Sequence, residues 1–235
     1  LPRKELFDNR YFKSCAVVAS SGALRGSNLG RTIDSYNVVL RFNNAPTKGF
    51  ESDVGRKTTL RIVNSQVVSK EGFLQSKLFE NVTLVVWDPS NYTSTLEDWY
   101  HHPEHQFFTN YRKYKTKFLK SRFFIVNPKS LWDLWTFLQS SMIYRIRKNP
   151  PSSGFLGISI LLPHCDYVDV FEYIPSVRVS RRCHYYDRTD NPACTFGVWH
   201  PLAAEKLLSY FLNTANDTSV FQTGFIRIPG YQVTQ

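Results

Sequence analysis

The chain has 235 residues, enough for one large α/β domain or two small ones, and its composition is globular apart from a high aromatic share of 15%. No apolar run approaches the ~20 residues that a membrane-crossing helix needs. A net charge of +10 would suit nucleic acid, an anionic membrane surface or an acidic ligand. Zinc-finger spacing and aromatic–basic RNA signatures are absent, so nucleic acid ranks last among these.

The first residue is Leu1 and the one methionine is Met142. A fragment or processed form is therefore expected, with any signal or membrane anchor outside it. Leu1 to Ser14 is polar and expected to be peripheral. Cys15 to Ala19 reads as a strand buried on both faces. The small-residue loop Ser20 to Ser27 follows, then a helix with Leu29, Ile33 and Tyr36 on one face. Two more apolar runs, Val38 to Phe42 and Thr58 to Val63, end at Asn43 and Asn64. Three strands with a helix after the first mark the start of an α/β domain, whose ligands sit at the C-terminal strand ends. Those ends carry Ser20, Asn43 and Asn64.

Gly22, Gly26 and Gly30 are evenly spaced by four. This is not the dinucleotide fingerprint, and a lysine-bearing phosphate loop is absent as well. A phosphorylated or nucleotide-like ligand fits the loop, and so do glycines that only permit tight turns.

Gln66 to Phe79 is expected to be a helix, with Phe73, Leu74, Leu78 and Phe79 as its apolar face. Asn81 to Trp87 reads as a buried strand ending in the turn Asp88-Pro89-Ser90. Leu96 to Tyr111 holds His101, His102 and His105 among aromatics and prolines. No acidic pair completes a metal site there, so lining or structural roles rank first. Phe123 to Val126 is a further strand. Lys129 to Met142 is an amphipathic helix with Leu131, Trp132, Leu134, Trp135 and Leu138 inward. In Asn149-Pro-Pro-Ser-Ser-Gly154 the serines stand at an N-cap before an apolar helix over Phe155 to Leu162. Such an end offers free N–H groups to an anion, or a serine that merely caps its own helix. Val168 to Glu172 is a strand. Leu202 to Asn213 is a helix with Leu207, Leu208 and Phe211 on one side, and Phe225 to Ile228 is an edge-like strand. With no repeat or linker, residues 1–235 read as one domain.

Cys15, Cys165, Cys183 and Cys194 contain no Cys-x-x-Cys pair, so zinc is not expected. Sequons at Asn81, Asn91 and Asn216, beside an even cysteine count, point to the secretory pathway. Two disulfides are expected, the nearest pairing being Cys183–Cys194, which leaves Cys15–Cys165. A nucleophile turn, a His-Glu-x-x-His pair and an Asp-x-Asp metal triplet are all missing. His200, flanked by Trp199 and Pro201, is the best general-base candidate, and His184 could donate to a phosphate oxygen. From position alone, a structural role ranks ahead of catalysis for each histidine.

Four segments together resemble the sialylmotifs of animal sialyltransferases. Cys15 to Gln66 resembles the large motif, and Asn149 through Cys165 to Phe171 the small one. His184-Tyr-Tyr-Asp187 resembles the third motif, and His200-Pro-Leu-Ala-Ala-Glu205 the very small one. Arg41 to Pro46, Asp53-Val-Gly55, Asn64-Ser-Gln66, Trp87-Asp-Pro89 and the segment Ala193 to Lys206 look most like the β-galactoside α-2,6 branch. The resemblance implies a mostly parallel, Rossmann-like sheet flanked by helices, the sialyltransferase variant of the GT-A class. It also implies transfer of sialic acid from CMP-sialic acid to galactose or N-acetylgalactosamine, with inversion, no metal, and His200 as base. Ser20, Asn43, Asn64, Ser152, Ser153, Gly154, His184 and Thr195 would hold the donor. Gln66, Glu104, Trp199 and Lys206 would meet the acceptor. The bridged cysteines of the large and small motifs match Cys15–Cys165. A Golgi-lumenal enzyme, anchored by a segment outside this sequence, would follow. Glu104 stands where such enzymes have an acceptor-binding Asp, Trp199 stands where a Tyr precedes the histidine, and a terminal cysteine pair is absent. These departures bear on acceptor choice more than on donor chemistry.

Overall fold

The structure, a computed structural model, describes residues 5–191 and 199–231. Seven strands form one sheet: β1 (Phe12–Val18), β2 (Val38–Phe42), β3 (Leu60–Asn64), β4 (Thr83–Trp87), β5 (Phe123–Ile125), β6 (Cys165–Phe171) and β7 (Phe225–Pro229). Their order is β5-β4-β3-β2-β1-β6-β7. All neighbours are parallel except the antiparallel edge pair β6–β7. β2 is buried along its whole length, Arg41 included. β1 leads to β2 on one side, whereas the chain reaches β1's other neighbour only from β5. This reversal opens a crevice at the C-terminal ends of β1 and β6.

Helices pack on both faces: α1 (Gly30–Asp34), α2 (Glu51–Val54), α3 (Ser65–Ser69), α4 (Leu96–His101), α5 (Phe108–Lys117), α6 (Pro128–Ser140), α7 (Ser153–Leu161), α8 (Leu202–Phe211) and α9 (Asp217–Thr223). α7 covers the centre of the sheet, where Leu156, Ile158 and Leu161 join Val17, Leu40, Ile62 and Val170 in the main core. Gly157 lets it lie close, since a Cβ there would come 3.0 Å from Leu40. Cys15 and Cys165 form a disulfide between the adjacent strands β1 and β6, closing a separation of 150 residues. Cys183 is disulfide-bonded, and its expected partner Cys194 lies outside the described residues. Asp169, fully buried on β6, is met by Arg227 at 2.7 and 2.8 Å and by the Tyr36 hydroxyl, which ties β7 and α1 to the sheet.

Three expectations need correction, and one helix was not read from the sequence. The single helix over Gln66–Phe79 is instead the short α3 followed by two tight turns, Glu71–Gln75 and Lys77–Phe79. Lys70 and Ser76 adopt extended conformations, and the Ser76 hydroxyl caps the second turn, so side-chain capping outcompetes helix propagation. On α8, Leu207 and Phe211 are exposed, while Glu205 and Ser209 are buried beside Leu208 and Ala204. A partner for Glu205 from a distant segment reverses the face that hydrophobicity alone selects. Residues up to Ser14 are not wholly peripheral, because β1 starts at Phe12 and Phe7 is buried against it. Finally, α5 arises in a basic stretch that carries few apolar residues, and Tyr111 and Tyr114 are its buried face.

Candidate active site

At the sheet's C-terminal edge, Asn43 adopts a left-handed conformation (φ 44°), which asparagine tolerates better than most residues. Its Oδ1 accepts from the Asn64 amide at 3.0 Å, and Asn64 Oδ1 caps α3 through the Val67 amide at 3.0 Å. Both side-chain oxygens are thus occupied, and the amide NH₂ groups are left to donate. Beside Ser20, the loop carrying His184 docks as a strand-like bridge. Ser21 pairs with His184, and Tyr185 N–H donates to the Ser20 carbonyl at 3.1 Å. Gly22 permits this approach, since a Cβ would come 2.4 Å from the Arg182 carbonyl oxygen. Asp187 contacts both the His184 backbone N–H and Nδ1 at 2.9 Å, fixing the ring and leaving Nε2 outward.

The N-terminus of α7 is assembled from three segments. Ser152 caps it by accepting from the Phe155 amide at 3.2 Å. Glu205, with no exposed surface, accepts from Ser152 N–H at 2.7 Å, Ser152 Oγ at 2.5 Å and the Tyr173 hydroxyl at 2.8 Å. Burial, then the Glu205 charge, pushes the Tyr173 hydroxyl well above its ordinary value, so it stays a donor. Gly154 packs on that ring, and a Cβ there would come 2.9 Å from it. The first-turn N–H groups of Ser153 and Gly154 are left at the positive end of the helix. Ser153 Oγ accepts from Trp87 Nε1 at 2.8 Å.

Trp87 continues the row. It pairs in register with Asn64, and its ring centroid lies 6.2 Å from that of His200. His200 Nδ1 is 2.8 Å from the Pro150 carbonyl oxygen. A carbonyl only accepts, so Nδ1 carries the proton and Nε2 carries the lone pair. His200 lines a cleft of about 690 Å³ together with Trp87, Glu104, Trp132, Pro150 and Trp199. Glu104 is aimed there by Asp88, a fully buried carboxylate at the end of β4. Asp88 accepts from Trp99 Nε1 at 2.8 Å, Glu104 N–H at 3.0 Å and His105 N–H at 3.3 Å. Burial raises its pKa, and these bonds oppose the rise.

The structure thus links Asn43, Asn64, Ser153, Gly154 and His200 through Trp87, and Glu104 and Trp199 line the same cleft as His200. Ser20 and His184 form a second group at the end of β1. Gln66 is exposed on the first turn of α3, and Lys206 is half-buried on α8. Neither lines the cleft. Thr195 lies outside the described residues. The sequons are exposed: Asn81 begins the β4 segment, Asn91 lines the cleft, and Asn216 caps α9. Sequence reasoning named Trp87, Asp88 and Glu205 within family-like segments but gave them no role. An acidic residue ending an apolar strand, and another within an apolar helix, were the available signals. Among the described residues, no group of three or more His, Cys, Asp or Glu is placed to hold a metal, and no helix is long and apolar enough to cross a membrane.

Residues 1–216 match the family described as Glycosyltransferase family 29 (sialyltransferase). The chain belongs to this family. It is 46% identical over 221 residues to Beta-galactoside alpha-2,6-sialyltransferase 2 of Danio rerio, covering 93% of this chain and 43% of that protein. It is 45% identical over 225 residues to the Homo sapiens protein of the same name, covering 95% and 42%. The chain therefore spans less than half the length of these relatives. A crystal structure of a mammalian sialyltransferase superposes with a TM-score of 0.58 at 23% identity, over 86% of this chain and 66% of that one. At that identity the likeness concerns the fold. The α/β class, the family resemblance and the Cys15–Cys165 disulfide are borne out.

Proposed function

We propose that this chain is the catalytic domain of a Golgi-lumenal enzyme that moves sialic acid from CMP-sialic acid to the 6-hydroxyl of a terminal galactose. The observation that carries the reading is the His200 ring, fixed by Pro150 with Nε2 free, in the same cleft as Glu104. Nε2 takes the proton of the acceptor hydroxyl as that oxygen attacks the anomeric carbon. The bond from that carbon to the phosphate oxygen breaks, CMP leaves, and the configuration inverts through an oxocarbenium-like state. The Ser153 and Gly154 amides at the start of α7 hold the phosphate, and the NH₂ groups of Asn43 and Asn64 hold the nucleotide. Ser152 supports this site through its cap. His184, oriented by Asp187, faces the phosphate, with Ser20 beside it. Negative charge on the leaving group thereby rests on protein donors, so EDTA is expected to leave the rate unchanged.

Glu104 and Trp199 define the acceptor side of the cleft, and Gln66 and Lys206, which lie outside its lining, are not assigned to it. Glu104 is one methylene longer than the Asp of the resembling enzymes, and Trp199 presents an exposed indole at the cleft. These two residues bear on the choice of acceptor rather than on donor chemistry. Incubation with CMP-sialic acid and a panel of galactose- and N-acetylgalactosamine-terminated glycans, with product linkages determined, tests the proposal. Absence of any sialylated product would end it.

A further inference from the structure

β2 and β3 set Arg41 and Arg61 opposite one another in register, and each is only 1% exposed. A buried arginine normally meets a carboxylate. Neither of these forms an ion pair among the described residues. Arg41 donates to the Lys57 carbonyl at 3.0 Å, to Thr58 Oγ1 at 3.1 Å and to the Val54 carbonyl, while its Nη1 has no partner. Arg61 Nη1 donates to the carbonyls of Asn43 at 2.8 Å, Ala45 at 3.0 Å and Phe42 at 3.4 Å, while its Nε has no partner. Asp34 acts on Arg41 without touching it, and Arg41 repels Arg61. Burial lowers both guanidinium groups to about 10, which leaves them cationic at neutral pH. Two positive charges therefore stand in the centre of the sheet with no acid in contact, an arrangement that costs stability.

What Arg61 holds explains their placement. Two of its three carbonyl partners, Asn43 and Ala45, belong to the turn after β2, which carries Asn43 in its left-handed conformation, and the third, Phe42, ends the strand. In a trans peptide the C=O and N–H point in opposite directions. With the Asn43 carbonyl drawn down onto the guanidinium, the N–H of the same peptide, on exposed Asn44, faces away from the core at the strand end. Backbone N–H groups presented this way form concavities for anions.

We propose that Arg61 is a positioning residue that aims this turn at the donor's phosphate, and that Arg61 and Arg41 together supply the fixed positive charge beneath it. The proposal rests on the donor reading above. It assigns the neutralisation of the leaving CMP partly to charges that never touch it.

The test measures the dissociation constants of CMP and of cytidine, which lacks the phosphate, by titration calorimetry. The proteins are the wild-type chain, Arg61→Gln, Arg61→Lys and Arg41→Gln. CMP binding is expected to weaken about tenfold in Arg61→Gln and Arg41→Gln, about 1.4 kcal/mol, with cytidine within about twofold of wild type. Arg61→Lys, which keeps the charge, should hold the CMP-to-cytidine ratio within about threefold of wild type. Arg41 does not touch the turn, so a fall in that ratio for Arg41→Gln is not an effect of a misplaced Asn43. A measurement without substitution covers variants that fail to fold. Raising salt from roughly 50 to roughly 500 mM should change the wild-type ratio less than about threefold, because buried charges are screened little. Exposed Arg25 and Arg181 would give a steep dependence instead. Equal losses for CMP and cytidine, or a ratio that collapses with salt, would overturn the proposal alone. A wild-type chain that binds neither molecule would overturn it together with the donor reading.

Discussion

The His200 ring and the Pro150 carbonyl, 50 residues apart in sequence, meet at 2.8 Å through Nδ1. That contact determines the tautomer, because the carbonyl can only accept. Nitrogen-15 NMR of the neutral protein should show His200 with Nδ1 protonated and Nε2 unprotonated. The opposite tautomer would remove the base from the cleft.

Glu205 holds the start of α7 by accepting from Ser152 and Tyr173 in a fully buried setting. Glu205→Ala would strand two hydroxyls and one amide without partners. The expected loss of unfolding free energy is about 3–5 kcal/mol. Tyr173→Phe removes one of these bonds and should cost about 1–2 kcal/mol. Denaturant unfolding measures both, and similar small losses would contradict the buried network.

Asp88 positions the segment bearing Glu104 through two backbone amides. Asp88→Asn keeps one acceptor oxygen and puts an NH₂ group in place of the other, facing either His105 N–H or the pair Trp99 Nε1 and Glu104 N–H. The acceptor KM should rise by about tenfold or more, the equivalent of one or two charge-assisted bonds, with the donor KM within about twofold. Steady-state kinetics with each substrate varied separates these outcomes.

His164 lies edge-on to Phe7, with ring centroids 4.8 Å apart. Burial lowers its pKa from the ordinary 6.5, and nearby Glu5 opposes the shift. Below 6.5 the unfolded chain therefore binds more protons than the folded one, so stability is complete above 6.5 and falls as pH drops through it. His164→Gln should lose less stability than wild type between pH 7.5 and 5. Equal pH dependence in the two proteins would contradict the assignment.

The Cys15–Cys165 disulfide closes a 150-residue separation between neighbouring buried strands. Replacing both cysteines by alanine should cost up to about 5 kcal/mol, the chain-entropy value for so long a loop. Urea unfolding of the double variant measures it.

The central strands were legible in the sequence because they are buried on both faces and read as largely apolar runs. Ser152 was legible as a cap, since its role is local, in one hydroxyl and an amide three residues on. The helix over Gln66–Phe79 was misread because Ser76 and the extended Lys70 break it, and apolar spacing does not register capping competition. The buried face of α8 was misread because Glu205 is satisfied by residues 53 and 32 positions away. No window along the chain contains those partners. Arg41 and Arg61 were passed over for the same reason: within an apolar run, a strand gives no sign of whether its charge meets an acid.

Transfer from CMP-sialic acid to a galactose-terminated glycan by wild type and His200→Ala, with CMP binding measured in parallel, tests the central claim most directly. A fall in kcat of about 10²–10⁴ with CMP affinity unchanged is the predicted result. A variant that retains the wild-type rate would contradict the assignment of His200 as the base.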